Sequence, residues 1–301
     1  MAMKVGVMVP MADGDGDGPA IPTWPAIRSF GRRAEALGFD SLWVADHLMP
    51  HLDATGGVGG IHEAWTLLTA LAASTERVEL GTLVLAVPFR DPALLAKVAV
   101  AMDEVSGGRF ILGIGCGNVE SETVAFGLPW RGRVARFEEA LRIIVPLLEG
   151  KAVRFEGRHF TVLGAVLAPS PRRRVPLLVA AKGPRMLRLT ARFADAWNTA
   201  WYRAPDERFA KRMADLDTAL ATEDRAPESI ARTAGMSVDG QAAAEIAAAF
   251  SLFEERGIGH VIVGLEPPRT EAALDRLAEG LDAYRASRTL VASAPATGSS
   301  S

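Results

Sequence analysis
The stretch FILGIGCGN, residues 110–118, carries the choice of fold. An apolar run leads into glycines at positions 113, 115 and 117. A dinucleotide fingerprint needs G-x-G-x-x-G after the first strand and an acidic residue about 20 positions on. Here the glycines alternate, Asn118 follows the last of them, and the run comes fourth among the β-rich segments. After the first such segment stands VPMADG, which has no glycine triplet. The Rossmann reading fails on spacing and on position. Alternate glycines bare one face of a strand end, which suits a flat ligand close to the backbone or close packing against the barrel interior.

Outward from this run, short β-rich segments alternate with amphipathic ones. KVGVMVP (4–10), DSLWVAD (40–46), VELGTLVLA (78–86) and RFILGIGCG (109–117) read as strands, as do VPLLVAA (175–181), DAWNTAW (195–201), IARTAGMSV (230–238) and HVIVGL (260–265). Helical patterns fill 24–37, 63–75, 92–105, 133–149, 184–193, 206–221, 241–256 and 271–285. Strands that are near-continuous apolar runs are covered on both faces. The expected class is α/β, a single (β/α)8 TIM barrel over residues 1–286 with a flexible C-terminal tail, 287–301. Alternation alone also allows an open doubly wound sheet. Residues 150–174 break the rhythm and read as a small hairpin.

Composition sets limits on function. The chain has 301 residues, 49% hydrophobic and 23% charged, with net charge −3. That balance predicts no nucleic-acid partner. No 18-residue uncharged apolar run and no signal-peptide pattern is seen, so no membrane and a cytoplasmic location are expected. The lone Cys116 fits a reducing compartment.

Several residues invite a ligand reading. Asp13, Asp15 and Asp17 alternate as in a calcium loop, but the glutamate such a loop needs is replaced by Trp24. His47 and His51 are separated by Pro50, which prevents the helix that would align them, so no metal is expected. Arg172, Arg173 and Arg174 read as a solvated loop. Trp43 reads as core, while Trp65 and Trp201 are candidates for the substrate wall.

GFDSLWVADHL, EAWTLLTALAASTERVELGTLVLAVPFRDP, DEVSGGRFILGIGCGNVESETVAFG, RFEEALRIIVPLLEG and AAKGPRMLRLTARFADAWNTAW together resemble the bacterial luciferase-like monooxygenase superfamily. They look most like its branch with enzymes that use the deazaflavin coenzyme F420. The resemblance runs from Val5 to about Trp201. It implies a (β/α)8 barrel with an insertion after the fourth helix, reduced FMN or F420 at the C-terminal mouth, and a homodimer.

The resemblance also implies roles for single residues. Asp46 lies beside the cofactor ring, and His47 contacts substrate or moves a proton, work that suits an imidazole near neutral pH. Leu83 and Val84 match a strand bulge, often with a non-proline cis peptide, that presses on the ring. Gly115, Cys116, Gly117 and Ser121 hold the cofactor's side chain. Asn118 stands where sugar-phosphate dehydrogenases of the family carry an acid/base glutamate, and an amide cannot shuttle a proton that way. Ala181, Lys182, Gly183 and Pro184 match the phosphate loop, where a helix N-terminus favours an anion; Arg185 and Arg188 extend its charge. Met8 joins Trp65 and Trp201 on the substrate side.

The expectation is an oxidoreductase using F420H2 or FMNH2, with F420 favoured, for hydride transfer to, or monooxygenation of, a small organic substrate. A flavin or F420 reductase is a possible partner. Two rivals stand beside it: a non-catalytic cofactor-binding subunit of the same fold, and an unrelated phosphate-binding barrel with an active-site lysine.

Overall fold
The computed structural model describes residues 2–16, 20–49 and 59–293. Strand β1 (Lys4–Met8) leads to helix α1 (Trp24–Ala36), and β2 (Ser41–Val44) leads to α2 (Ala64–Ala72). Next, β3 (Glu79–Thr82) and β4 (Leu85–Ala86) lead to α3 (Pro92–Val105). β5 (Phe110–Gly115) is followed by α4 (Glu120–Ala125) and α5 (Arg133–Leu148). β6 (Val153–Glu156) and β7 (Thr161–Ala165) precede β8 (Leu177–Ala180) and α6 (Pro184–Phe193). Then come β9 (Ala196–Tyr202) and α7 (Glu207–Thr222), β10 (Ala231–Val238) and α8 (Ala243–Glu255), and β11 (His260–Leu265) with α9 (Glu271–Ser293).

The large sheet runs β3-β2-β1-β11-β10-β9-β8-β5-β4 and closes through a further β3–β5 pairing. β3 and β4 both pair with β5 in parallel, so they act as one interrupted strand of a closed eight-stranded parallel barrel. Closure removes the open-sheet alternative. β6 and β7 form a separate antiparallel hairpin where the helix–strand rhythm breaks.

Side chains alternate across each strand. Outward residues such as Val5, Val7, Leu42, Val44, Leu112 and Ile114 join the large core under the helices. Inward, Met8, Trp43, Leu178 and Ile262 fill the barrel, with Ala45, Leu83, Val84, Ile111 and Ala196 around them. Trp43 needs the space left by two glycines. A Cβ on Gly81 would lie 2.3 Å from its ring, and one on Gly6 would lie 2.7 Å from its Nε1. Near the barrel floor, the Trp43 indole N–H donates to Ser41 Oγ (2.7 Å), which is 2.8 Å from His260 Nε2.

Local chemistry sets the helix starts. Asp91 accepts from the N–H groups of Ala93 (2.9 Å) and Leu94 (3.0 Å), with Pro92 in the first turn of α3. Glu63, read as helical in the sequence, is instead the cap of α2 and accepts from Trp65 and Thr66. α9 continues to Ser293, past the expected end at 285, because the sequence offers no Gly or Pro to stop it. Residues 294–301 of the expected tail lie outside the described residues. Arg172, Arg173 and Arg174 are not a free loop: they pair with Glu104, Asp103 and Asp195.

Candidate active site at the barrel mouth
The C-terminal ends of the strands share one rim. Its inward layer is built of small residues, Ala45, Gly115, Ala180, Gly235 and Gly264, which widen the mouth. Trp201 lies over two of them. A Cβ would meet its ring at 2.6 Å from Gly235 and at 3.2 Å from Gly264. With 39% exposure, its indole forms a wall open to solvent.

Leu83 and Val84 separate β3 from β4, and the peptide joining them is cis. Both are half-buried at the top of the barrel interior. The Leu83 N–H donates to Val44 O at 2.8 Å. Beyond the break, Asp46 anchors the chain: its carboxylate accepts from the Ala86 N–H (2.8 Å) and from both terminal nitrogens of Arg90 (2.6 and 2.9 Å). Asp46 is thus engaged in holding β4 and Arg90 against the end of β2.

His47 is one-third exposed, with Nδ1 3.0 Å from Glu122 Oε1. The other oxygen of Glu122 accepts from the N–H groups of Leu48 (2.9 Å) and Met49 (3.3 Å). A carboxylate only accepts, so Nδ1 carries the proton and Nε2 is left free. Glu122 lies on α4, follows β5 and has a 2% exposed side chain. This bond ties the chain after β2 to the chain after β5, across the interrupted strand between them. Glu122 carries no periodic sequence signal of its own, because residues 118–132, between the fourth β-rich run and the next helical pattern, show neither period. The available signal was the acid pair Glu120 and Glu122 directly after a strand end. Asn118 is exposed on the same connection, and Ser121 is exposed on α4.

The glycines of β5 serve strand packing. A Cβ on Gly113 would sit 1.8 Å from the Thr82 carbonyl oxygen, and one on Gly115 would sit 2.9 Å from Val84. The bare face therefore receives β3 and Val84. Gly117 turns at φ +78, a left-handed conformation that favours glycine. Cys116 is half-buried, and that burial pushes its thiol pKa up, which opposes a thiolate nucleophile.

Across the rim, α6 starts at Gly183 with no side-chain cap, Pro184 in its first turn and open space where a Gly183 Cβ would project. Lys182 is exposed beside Arg208 and Arg212, and Arg212 donates to the Lys182 carbonyl (3.0 Å). Partial burial, then the charges of Arg212 and Arg208, hold the Lys182 pKa below the usual lysine value. Arg185 instead pairs with Glu138 (2.8 Å), so the cations that reinforce Lys182 come from α7. Ala181 is buried and accepts from the Trp197 indole.

Two expected mouth residues lie elsewhere. Trp65 packs on Phe110 with ring centroids 5.5 Å apart. Phe110 is on the outward face of β5, so Trp65 belongs to the helix–sheet layer and not to the substrate wall. Met8 is 6% exposed among Trp43, Leu178 and Ile262, so it forms the floor beneath the mouth. Asp15 is buried against Arg269 (2.8 Å), and Asp13 caps the Gly60 N–H; Asp17, Pro50 and His51 lie outside the described residues. Among the described residues no helix is long and apolar enough to cross a membrane.

Comparison with known proteins agrees with this architecture. The F420-dependent glucose-6-phosphate dehydrogenase of Microbacterium testaceum is 36% identical over 205 residues, 67% of this chain and 60% of that protein. The chain spans half to three fifths of the length of the first curated relatives it matches. A solved F420-dependent secondary alcohol dehydrogenase in complex with an F420-acetone adduct superposes with a TM-score of 0.80 at 20% identity. That match covers 95% of this chain and 100% of the other. A riboflavin lyase solved with modified FMN and riboflavin gives 0.76 at 15% identity, over 96% and 92%. Residues 3–260 match the luciferase-like monooxygenase family, and with that span, this barrel and these relatives the chain belongs to it.

Proposed function
We propose that this chain is an oxidoreductase that uses reduced F420, or reduced FMN, at the barrel mouth to act on a small organic substrate. The observation that carries the proposal is the His47–Glu122 pair, which joins the chain after β2 to the chain after β5, on either side of the strand interrupted at Leu83 and Val84. The residues fit such a cofactor. Lys182, Gly183, Pro184 and the start of α6 would hold its phosphate, with Arg208 and Arg212 adding charge. Leu83, Val84 and Asp46 would flank its ring, and Gly115, Cys116, Gly117 and Ser121 its side chain. Bound there in reduced form, either cofactor would supply a hydride.

The protein's part is positioning and proton handling. His47, its Nδ1 fixed by Glu122, presents Nε2 to the substrate and gives or takes the proton at an alcohol or carbonyl oxygen. Trp201 shields one side of the mouth from water. Asn118 offers an amide and no acid, which separates this chemistry from that of a sugar-phosphate dehydrogenase. F420-dependence among the relatives favours hydride transfer. The family's description as luciferase-like monooxygenases supports monooxygenation with FMN as the second reading. The proposal includes a cytoplasmic homodimer, a single barrel whose last helix runs past the expected boundary at 286, and a separate reductase. Light scattering tests the dimer.

A fluorescence titration with F420, FMN and FAD tests the cofactor assignment. F420 or FMN is expected to bind with Kd of about 1–100 μM, corresponding to roughly 5–8 kcal/mol. Binding no tighter than millimolar by all three would sink the proposal.

A further inference from the structure
One guanidinium on the rim ties separate segments of the chain together. Arg90 lies beyond β4, just before α3. Its Nη1 donates to Asp46 Oδ2 (2.6 Å) and its Nη2 to Asp46 Oδ1 (2.9 Å), a bidentate fork on one carboxylate. The same Nη2 also donates to Glu63 Oε1 (3.1 Å). Asp46 stands just past the end of β2, and Glu63 caps α2, so Arg90 pins both ends of the connection that carries His47. Glu63 is itself fixed, accepting from the N–H groups of Trp65 (3.1 Å) and Thr66 (2.7 Å).

Asp46 also completes the interrupted strand. The pairing of β2 with β3 ends at Val44 and Thr82. Past that point the Leu83 N–H still reaches Val44 O (2.8 Å), and the Ala86 N–H ends on Asp46 Oδ2 (2.8 Å). A side-chain carboxylate takes the place of a ladder carbonyl, so the Leu83–Val84 step is bracketed by bonds to the end of β2. The Asp46 side chain is 2% exposed and that of Arg90 18%. A pair buried to that extent adds little net stability, since lost hydration offsets its attraction. What it supplies is geometry: a planar fork fixes the direction of the carboxylate as well as its distance. Through that carboxylate one residue bears on His47, the neighbour of Asp46 in the chain, and on the step where the ring would rest.

We propose that Arg90 is a positioning residue. It holds His47 and the Leu83–Val84 step in fixed register, so that the proton-handling group and the cofactor ring stand at a set separation. The consequence for the ring rests on the proposed function, but the coupling of the two segments does not.

The test is amide hydrogen exchange of the cofactor-free protein. The Ala86 amide reports its bond to Asp46, and the Leu48 amide reports the bond to Glu122 that accompanies His47. The Val263 amide, paired within the barrel, reports the fold as a whole. Wild type is compared with Arg90→Lys, which keeps the charge and loses the fork, and with Glu63→Gln, which weakens the second anchor and serves alone if the first variant does not fold. Arg90→Lys is expected to speed exchange at Ala86 and Leu48 together by about tenfold or more with Val263 unchanged, and Glu63→Gln to do so by about threefold. A wild-type rate at either Ala86 or Leu48 overturns the coupling. Equal acceleration at Val263 marks a merely structural role and overturns it as well. In the loaded protein, the visible circular dichroism of bound oxidised F420 at saturation should fall by about half or more in Arg90→Lys; an unchanged signal overturns the positioning of the ring. If wild type binds no F420, the cofactor reading fails, and the exchange result still decides the coupling.

Discussion

At the residue scale, the decisive contact is between His47 and a carboxylate that the sequence does not advertise. His47 was legible because a histidine directly after a strand end is placed for chemistry. Glu122 was not, because its role depends on a long-range approach between the chain after β2 and the chain after β5. Burial and its three donors make it an acceptor for His47 Nδ1. Glu122→Gln should invert that bond by offering an amide N–H, so that Nε2 takes the proton. Nitrogen NMR of the histidine ring reads this directly: the Nδ1–H form is expected in wild type and the Nε2–H form in the variant. Turnover of reduced cofactor should fall about 10²-fold or more, as when a tautomer is misassigned in other His–carboxylate pairs. An unchanged tautomer in the variant would show that Glu122 does not set it.

At the element scale, the strands and helices with strong local signals were readable. α3 and α6 begin where Pro92 and Pro184 say they should, and β11 spans the run HVIVGL. The interruption between β3 and β4 was flagged only through the family resemblance, since residues 78–86 read as one β-rich run. α4 is short and its apolar spacing too brief to register. The alternate glycines of β5 resolve into packing, because their empty positions meet Thr82 and Val84. This yields a contrast. Gly113→Ala should force β3 and β5 apart and cost at least about 3 kcal/mol, the upper range for overpacking. Gly183→Ala, facing open space, should leave the melting temperature unchanged. Equal melting temperatures for the two variants would refute the packing role of Gly113.

At the scale of the whole molecule, eight alternations predicted a barrel, and closure through the β3–β5 pairing completes it. Sequence could not show which inward residues meet across the barrel. Trp65 was a candidate for the substrate wall, but the alternation of β5 puts Phe110, and Trp65 with it, on the outer layer. His260 was overlooked because a histidine at a strand start carries no local signal. Burial, then the nearby Lys4 charge, lowers its pKa from 6.5 to about 3. The unfolded chain therefore accepts a proton that the folded barrel refuses, and stability falls as pH drops below about 6.5. At pH 5 the loss is ~2 kcal/mol relative to neutral pH. Thermal melts of wild type and His260→Gln between pH 7 and 5 should diverge by that amount, and parallel curves would contradict it.

The account centres on a reduced deazaflavin or flavin held at the mouth beside His47. The most direct measurement is a crystal structure of the protein with F420. The account predicts the ring against Leu83 and Val84, with His47 Nε2 facing it, and the phosphate at Lys182 and the start of α6. A ring lying outside the mouth, or a phosphate bound away from α6, would contradict it.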